Sequence, residues 1–286
     1  MKWCAPGSRR RVLRGVVSAV LAASTLVGVS GSPAGAWSSG DGAVAVFSGT
    51  GQNNGRSVAV DSSGNVYTTG HFYGTADFDP GAGTANLTSN GKTDVFVSKL
   101  DSSGNYVWAK NLGGTNYDWG MSVAVDSSGN VYTTGDFRDT VDFDPGAGTA
   151  NLTSNGQTAA FVSKLDSSGN YVWAKSFDSN GSGPMGMSVA VDSSGNVYTT
   201  GYFSNTVDFD PGAGTANIIS QGNTDVYVSK LDSSGNYVWA KSFRGNNFDR
   251  GYSLALDSSG NVYTTGHFAG TADFDPGSGT ANLTAV

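Results

Sequence analysis

Short runs of alternating apolar and polar residues recur along most of the chain, and each run has the length of one β-strand. In the first clear example, residues 57–60 (Ser-Val-Ala-Val) precede a polar pentapeptide, and residues 66–69 (Val-Tyr-Thr-Thr) follow it. After residue 36, apolar residues do not recur at helical spacing over three turns. The pattern predicts an all-β chain of short antiparallel strands joined by tight turns.

One polar pentapeptide, Asp-Ser-Ser-Gly-Asn, separates many of these runs and occurs seven times. Its Asp can accept a hydrogen bond from the backbone two residues on, its serines suit a type I turn, and its Gly suits a left-handed position. Because an apolar or alternating run flanks every copy, each copy predicts a β-hairpin turn. The structural turn glycines are Gly64, Gly104, Gly129, Gly169, Gly195, Gly235 and Gly260.

The chain repeats itself with a period of 65 or 66 residues, and each full period contains four candidate strands. In the first unit these strands, named A to D, cover residues 57–60, 66–69, 95–100 and 106–110. Four short antiparallel strands in a tandem repeat are typical of a β-propeller blade, which must stack on its neighbours to bury both faces. The repeat domain predicted for residues 37–286 contains units near 55–119, 120–185 and 186–250, a partial unit at 251–286, and an N-terminal strand at 42–48.

Two stretches of the repeat resemble a known family. The run Asp-Val-Phe-Val-Ser-Lys-Leu-Asp-Ser-Ser-Gly-Asn-Tyr-Val-Trp-Ala-Lys (94–110) and the run Ser-Val-Ala-Val-Asp-Ser-Ser-Gly-Asn-Val-Tyr-Thr-Thr-Gly (122–135) look like the SBBP-type bacterial β-propeller repeat, which is similar to NHL-like propeller repeats. The resemblance extends over nearly all of residues 37–286. It implies a β-propeller fold, an exported protein and no shared catalytic motif. The long insert between strands B and C departs from the usual pattern.

The predicted strands do not add up to a whole number of blades. The N-terminal strand matches strand D, so the chain offers one strand D, three full blades, and strands A and B of a fourth. We predict about four blades, with a ring that closes when the N-terminal strand joins the last blade and residues 281–284 partly replace its strand C. The alternatives are an incomplete ring, which a second copy could complete as a homodimer, or a truncated reading frame.

Residues 1–36 have the pattern of a signal peptide. Four arginines between Arg9 and Arg14 precede an apolar run at 16–29, which is short for a membrane span, and Ala34-Gly35-Ala36 is a small-x-small cleavage site. Residues 8–14 also fit the twin-arginine pattern, so both the general secretory route and the twin-arginine route stay open. We expect a protein that is secreted or held in the cell envelope and that is not inserted in the membrane after cleavage.

Charge narrows the possible partners. Cleavage after Ala36 leaves 250 residues with 11 Lys and Arg against 23 Asp, no Glu, and a formal charge of −12. This balance argues against nucleic acid, because a nucleic-acid site needs cations to displace counterions from phosphate. The one cysteine, Cys4, lies in the predicted signal, so the mature chain would have neither a disulfide nor thiol chemistry.

Sequence variation between units predicts a ligand face. The A–B and C–D turns are nearly constant, whereas the B–C and D–A loops at the opposite end differ, and variable loops on a rigid scaffold are the usual binding elements. Four residues directly follow Thr-Thr-Gly of strand B and would share one height in a ring, where they could bind a transition metal or exchange protons. They are His71, Asp136, Tyr202 and His267. Four more residues precede strand A and could bind a sugar: Asp118, Trp119, Asp249 and Arg250. The alternative is a solvated loop in which Trp119 fills a local gap.

The motif Asp-Phe-Asp-Pro-Gly occurs once in each B–C insert. Its two carboxylates lie on one side of an extended segment and are hard oxygen ligands that suit Ca²⁺. The alternative is that one Asp caps the Pro-Gly turn and the other is solvated. The residues of this candidate calcium site are Asp77, Asp79, Asp142, Asp144, Asp208, Asp210, Asp273 and Asp275.

These observations favour an exported binding or interaction module whose partner is a protein or a carbohydrate at the cell surface. It would need no cofactor, although Ca²⁺ could stabilise it. The first alternative is a secreted carbohydrate-active hydrolase or lyase, and the second is a purely structural repeat. The chain has no Gly-x-Ser-x-Gly, His-Glu-x-x-His or Walker motif, and no pair of carboxylates stands out, so the enzyme alternative has less support.

Overall fold

The computed structural model describes residues 47–179 and 181–285. The first unit contains β1 (Ser48–Gly49), β2 (Asn53–Val60), β3 (Val66–Phe72), β4 (Thr75–Asp77), β5 (Asn86–Thr88), β6 (Asp94–Leu100) and β7 (Tyr106–Gly114). The second contains β8 (Trp119–Val125), β9 (Val131–Phe137), β10 (Thr140–Asp142), β11 (Asn151–Thr153), β12 (Ala159–Leu165) and β13 (Tyr171–Phe177). The third contains β14 (Met185–Val191), β15 (Val197–Phe203), β16 (Thr206–Asp208), β17 (Asn217–Ile219), β18 (Asp225–Leu231) and β19 (Tyr237–Gly245). The fourth contains β20 (Arg250–Leu256), β21 (Val262–His267), β22 (Thr271–Asp273) and β23 (Asn282–Thr284).

The described residues are all-β, as the sequence predicts, and every strand ladder is antiparallel. In each complete unit the four long strands pair in the order A-B-C-D: β2-β3-β6-β7, then β8-β9-β12-β13, then β14-β15-β18-β19. The fourth unit contributes only strands A and B, as β20 and β21. The predicted four-stranded units are therefore confirmed for the three complete repeats.

The seven pentapeptides form the predicted turns. Their glycines have φ between +78° and +82°, a region that only Gly adopts without strain. In the first turn, Asp61 Oδ1 accepts from the backbone N–H groups of Ser63 (2.9 Å) and Asn65 (3.0 Å). In this A–B turn Asp61 Oδ2 also accepts from the hydroxyl of Tyr67, which anchors the turn to strand B. Each turn thus satisfies its own polar groups.

Each B–C insert contains a short hairpin that the sequence analysis missed. The hairpins are β4–β5, β10–β11, β16–β17 and β22–β23. The first strand of a hairpin pairs with the end of the preceding strand D, as Val141 does opposite Gly114. The phenylalanine of Asp-Phe-Asp packs beneath the hairpin, where Phe143 is fully buried with its ring centroid 4.9 Å from that of Phe161. The insert therefore connects each unit to the preceding unit by strand pairing.

Consecutive units stack through strand A. Each strand A packs on strands A and B of the preceding unit. At the first junction, the backbone N–H of Val123 donates to Ser57 Oγ at 3.2 Å, and the next two junctions repeat this contact. The indole of Trp108 also donates to the carbonyl of Ser167 in the following unit. The apolar core therefore lies between blades, where the aromatic side chains of strand C are buried.

The first and last units expose the faces that other units bury. Val58 on strand A of the first unit is 61% exposed, whereas the equivalent Val123 is 5% exposed. Tyr263 on strand B of the fourth unit is 37% exposed, whereas Tyr132 is fully buried. No strand in the described ranges pairs the first unit with the fourth. The predicted closure of a four-bladed ring stays a prediction, since residues 42–46 of the N-terminal strand lie outside the described residues.

Two details refine the strand assignments. Residues 282–284 form β23, which pairs with β22 of the insert hairpin. The prediction that residues 281–284 replace strand C was therefore wrong, because this segment is the fourth copy of the insert. At the other end, β1 pairs with β4 in the way that the end of a strand D pairs with the next hairpin. The predicted signal peptide at 1–36 lies outside the described residues. Within the described ranges, no helix could cross a membrane.

Candidate functional site

The stacked units have two chemically different ends. The turn end consists of the seven Asp-Ser-Ser-Gly-Asn turns. The loop end consists of the D–A loops, the B–C inserts, the first residues of strands A and C, and the last residues of strands B and D. Here a residue at the start of each strand A pairs with the candidate residue on strand B, as Asn54 does with His71 and Trp119 does with Asp136. The repeat therefore places all four strand B candidates at the same register.

These residues interact across unit junctions in pairs. The Trp119 ring stacks on His71 of the preceding unit, with centroids 5.4 Å apart and an interplanar angle of 26°. The guanidinium of Arg250 lies 5.0 Å from the ring centroid of Tyr202. His267, on the last strand B, is exposed. Among the described residues, no three His, Cys, Asp or Glu side chains are close enough to hold a metal together.

A β-bulge places a further variable residue at the loop end. The register of each A–B ladder shifts near the start of strand A, so that one residue after a glycine has no partner on strand B. Such a bulge re-aims the side chain of the unpaired residue. The residues are Arg56, Met121, Met187 and Tyr252. The sequence analysis missed them, although variation directly after an invariant glycine was a visible signal.

Burial sets the protonation of His71 and Asp136. His71 is 6% exposed, and burial together with the charge of Arg56 lowers its pKa to about 4, so the ring is neutral at neutral pH. Its Nε2 contacts Asn54 Nδ2 at 3.2 Å, and its Nδ1 has no hydrogen-bond partner. Asp136 is 4% exposed, and burial raises its pKa to about 7 against the charges of nearby arginines. Its buried Oδ1 has no partner either.

Asp118 and Asp249 lie beneath the surface. Asp118 is fully buried, with Oδ2 accepting from the N–H of Gly114 (2.7 Å) and Oδ1 accepting from the N–H of Arg138 (3.2 Å). Burial raises the pKa of Asp118 to about 7, although these two hydrogen bonds oppose the shift. Asp249 Oδ1 likewise accepts from the N–H of Ala269 at 3.0 Å. Both carboxyl groups therefore tie a D–A loop to the next strand B.

Two further buried carboxylates, Asp94 and Asp225, were not singled out from the sequence. Each begins a strand C and accepts a backbone N–H from its own insert, at 2.8 Å in both cases. The second unit has Ala159 at this position and Pro184 where the other junctions have Asp118 and Asp249. The two acidic positions are therefore lost together, and this paired change within the chain was the signal that could have revealed their shared structural role.

A cationic and aromatic cluster occupies the loop end at the junction of the first two units. Lys92 Nζ lies 4.4 Å from the ring centroid of Tyr117, and Arg138 Cζ lies 5.6 Å from the same centroid. The Tyr117 and Trp119 rings meet edge to face at 6.5 Å. A parallel bridge between Thr93 and Tyr117 joins the insert to the D–A loop and holds the cluster in place.

The Asp-Phe-Asp carboxylates order the backbone of their own hairpins. Asp77 Oδ1 accepts from the N–H groups of Asp79 (3.0 Å) and Ala85 (2.8 Å), and Asp79 Oδ1 accepts from Gly81 N–H (2.7 Å). The other three copies repeat these contacts. Both aspartates of each pair therefore cap the turn, which goes further than the alternative expected from the sequence.

One open polar groove lies beside the third hairpin, between the second and third units. Asp178, Asp208 and Asp210 line it together with asparagine side chains. Asp178 Oδ2 accepts from the N–H of Asn155 at 2.6 Å, while Asp208 and Asp210 cap their own hairpin. The carboxylates in this groove are therefore occupied by local backbone contacts.

Comparison with known proteins agrees with the predicted resemblance. Residues 49–71 and 107–136 match the family model SBBP, described as a beta-propeller repeat. The resemblance inferred from the sequence is confirmed in these two segments, which cover parts of the first two units. Two segments of the chain therefore match a beta-propeller repeat.

Two proteins with longer chains are similar in sequence to parts of this chain. An uncharacterized WD repeat-containing protein of Acanthamoeba polyphaga mimivirus is 28% identical over 235 residues, which cover 72% of this chain and 17% of that protein. Regulatory protein FlaEY of Caulobacter vibrioides is 32% identical over 83 residues, or 29% of this chain and 9% of that protein. The chain thus spans less than a fifth of the length of these relatives.

A solved structure was also similar in part. A protein of unknown function from Bacteroides caccae aligns with 66% of this chain and 81% of its own, at 11% sequence identity and a TM-score of 0.25.

Proposed function

We propose that the chain is a non-catalytic interaction module whose partner binds the loop end. The supporting observation is the distribution of buried side-chain atoms without hydrogen-bond partners in the described residues. Of 13 such atoms, nine belong to the loop end and none belongs to the seven turns. The nine belong to Asn53, His71, Asp94, Asn111, Asn116, Asp136, Arg138, Asp249 and Arg250.

An unpartnered buried polar group costs about 1–3 kcal/mol, and a group that gains a hydrogen-bond partner on binding recovers that cost. A bound partner, or water ordered beneath it, would complete their hydrogen bonds. The similarity to a WD repeat-containing protein supports the same class of function, because repeat propellers present loops on a rigid scaffold.

The catalytic alternative has weaker support. A hydrolase or lyase acting on carbohydrate needs two carboxyl groups that are free to reach the substrate. Asp136 and Asp118 are the carboxyl groups whose pKa is raised to about 7, but Asp118 uses both oxygens on backbone N–H groups. We therefore favour binding over catalysis.

The proposal keeps the expectation that the protein acts outside the cytoplasm after residues 1–36 are removed, and that its partner is a cell-surface protein or carbohydrate. The exposed faces of the first and last units would bind a further repeat unit, and a second copy of the chain is one source of it. Light scattering of the purified chain tests this point: a monomer supports the ring closed by the N-terminal strand, and a dimer supports a ring completed by a second copy.

We also propose that Ca²⁺ adds to the Asp-Phe-Asp hairpins through carboxylate oxygens that the backbone leaves free. Removing calcium with a chelator should then lower the melting temperature, and Asp79→Asn should remove part of that response. An identical melting temperature with calcium and with chelator would contradict the proposal.

Binding at the loop end is tested with two matched sets of substitutions and an array of cell-surface glycans. Arg56→Ala, Tyr117→Ala and Arg250→Ala are combined at the loop end. The matched control at the turn end combines Ser62→Ala, Ser127→Ala and Ser258→Ala, three side chains that make no hydrogen bond. We expect the loop-end set to abolish binding and the control to retain it. Loss of binding in the turn-end set alone would overturn the proposal.

A further inference from the structure

The positive charges of the mature chain fall into two groups. Six lysines repeat in every complete unit, on strand C (Lys99, Lys164, Lys230) and on strand D (Lys110, Lys175, Lys241). The other five cations have no cationic equivalent in any other unit, and all five lie at the loop end. They are Arg56, Lys92, Arg138, Arg244 and Arg250. Every positive charge that does not repeat between units therefore lies at the loop end.

Two of these cations meet aromatic rings in one place, which we call the cationic patch: Lys92, Tyr117, Trp119 and Arg138. Lys92 is exposed and Tyr117 is 37% exposed, so the patch faces solvent. Both cations lie over the Tyr117 ring, which orders them without neutralising them. Trp119 is fixed from two sides, because it stacks on His71 and its indole N–H donates to Thr93 Oγ1 at 3.1 Å.

The cations of the patch are not matched by carboxylates at its surface. Within the described residues, neither Lys92 nor Arg138 forms an ion pair, and the buried Nε of Arg138 donates no hydrogen bond. The exposed Asp139 accepts from Asn116 Nδ2 at 2.9 Å. The buried carboxyl groups beneath, Asp118 and Asp136, are partly protonated at neutral pH because burial raises the pKa of each to about 7. The patch therefore places two cationic side chains at the surface, with Asp139 as the exposed carboxylate beside them.

The same positions in the other units show that the patch is built only once. The residues equivalent to Lys92, Tyr117, Trp119 and Arg138 are Gln157, Gly183, Met185 and Ser204 at the second junction, and Asn223, Phe248, Arg250 and Ala269 at the third. The A–B strand pairing is the same at all three junctions, so it requires neither cations at the positions of Lys92 and Arg138 nor a tryptophan at position 119. A structural requirement would recur with the repeat.

We propose that the cationic patch binds a carboxylated saccharide, such as a chain of uronic acid residues. Lys92 and Arg138 would pair with sugar carboxylates, and the Tyr117 and Trp119 rings would contact the apolar C–H faces of the sugar rings. An acidic peptide would use the cations but has no comparable need for the aromatic surface, so the saccharide explains more of the patch. The inference rests on the proposed function, because it assigns a ligand class to the loop end.

The experiment is a calorimetric titration of the full chain, without calcium, with a short galacturonic acid oligomer. A neutral galactose oligomer of the same length and poly-L-glutamate serve as comparison probes. The variants copy residues that the chain itself uses at the second junction: Lys92→Gln, Arg138→Ser and Trp119→Met. Lys99→Gln, which removes a repeated lysine near the turn end, is the control for net charge.

We expect the galacturonic acid oligomer to bind and the neutral oligomer to bind much more weakly. Lys92→Gln and Arg138→Ser should each weaken Kd about tenfold, as expected for a hydrogen bond to a charged group, and Lys99→Gln should leave it unchanged. Trp119→Met should weaken the binding of the saccharide but leave the binding of poly-L-glutamate unchanged. Higher salt should weaken binding because the site is at the surface.

Three results would overturn the inference. The first is no binding of the galacturonic acid oligomer, and the second is equally tight binding of the neutral oligomer. The third is that poly-L-glutamate binds as tightly as the galacturonic acid oligomer and loses as much affinity in Trp119→Met. None of these would by itself overturn the proposed function, which depends on whether the loop-end set of substitutions abolishes binding of other glycans on the array.

Discussion

The two ends of this protein use the same strands for different purposes. At the turn end, Asp61 and its six equivalents accept the backbone and side-chain hydrogen bonds of their own turns. At the loop end, residues in equivalent positions differ from unit to unit, and His71, Asp136 and Arg138 each keep a buried atom without a partner. Repetition therefore identifies the scaffold, and broken repetition together with unsatisfied polar atoms is the basis on which we propose the loop end as the binding end.

The comparison holds only if the loop end rests on a rigid base, and the insert hairpins supply that base. Phe143→Ala removes a fully buried ring that packs on Phe137 and Phe161. We expect a loss of about 3–5 kcal/mol in the free energy of unfolding, measured by urea denaturation, because the ring leaves a cavity. A loss below about 1 kcal/mol would show that the hairpin is a peripheral loop.

Substitution of a turn glycine should destabilise the fold through backbone strain. Gly129 has φ +78°, so Gly129→Val should cost about 2 kcal/mol, since a left-handed conformation is strained for a residue with a Cβ. Gly260→Val is the matched variant, because Gly260 has φ +79° but nothing lies within 4 Å of its Cβ position. If Gly260→Val is neutral, the cost at Gly129 comes from contact with Ser167 and not from strain.

Two buried carboxyl groups at the loop end should respond oppositely to substitution. The pKa of Asp136 rises from 3.8 to about 7 on folding, so its contribution to stability is fully present below pH 3.8 and is lost as pH rises through 7. Asp136→Asn should therefore be more stable than the parent at pH 8, by about 2 kcal/mol, and the difference should be smaller at pH 5.

Asp118→Asn is the control for this pH effect. Both oxygens of Asp118 accept backbone N–H groups, and an amide would turn one of them into a donor. We expect a loss of about 2 kcal/mol at pH 5 that becomes smaller towards pH 8, because burial also raises the pKa of Asp118 to about 7. Urea denaturation of both variants between pH 5 and pH 8 makes the comparison, and a stabilised Asp118→Asn would contradict the structural role assigned to this residue.

The smallest effect on stability is expected in the cationic patch. Lys92→Gln and Arg138→Ser should each change the free energy of unfolding by less than about 0.5 kcal/mol, since both side chains reach solvent and neither forms an ion pair. A larger loss for either variant would mean that the patch stabilises the junction, and the argument for a ligand there would weaken.

The sequence was sufficient for features that depend on local chemistry. The turns follow from the Asp, Ser and Gly of each pentapeptide, and the strands follow from alternation, so both were predicted and confirmed. The insert hairpins were missed because strands of three residues, such as Asn86–Thr88, carry too few residues to show a period. Residues 282–284 were misassigned for the same reason.

The candidate site was predictable only where the repeat fixes a position. The shared register of His71 and Asp136 followed from their place after Thr-Thr-Gly. The cationic patch could not be predicted from the sequence, because Lys92 and Arg138 lie far apart in the chain. They come together only at the ring of Tyr117 in the D–A loop. The burial of Asp118 was also beyond sequence reasoning, since it depends on packing between units.

Hydrogen–deuterium exchange with and without the galacturonic acid oligomer locates the binding surface most directly. We expect new protection at the backbone of residues 92–93, 116–119 and 138–139, and unchanged exchange in the seven turns. Protection in the turns, with none in these three segments, would contradict the assignment of scaffold and binding surface to opposite ends of the molecule.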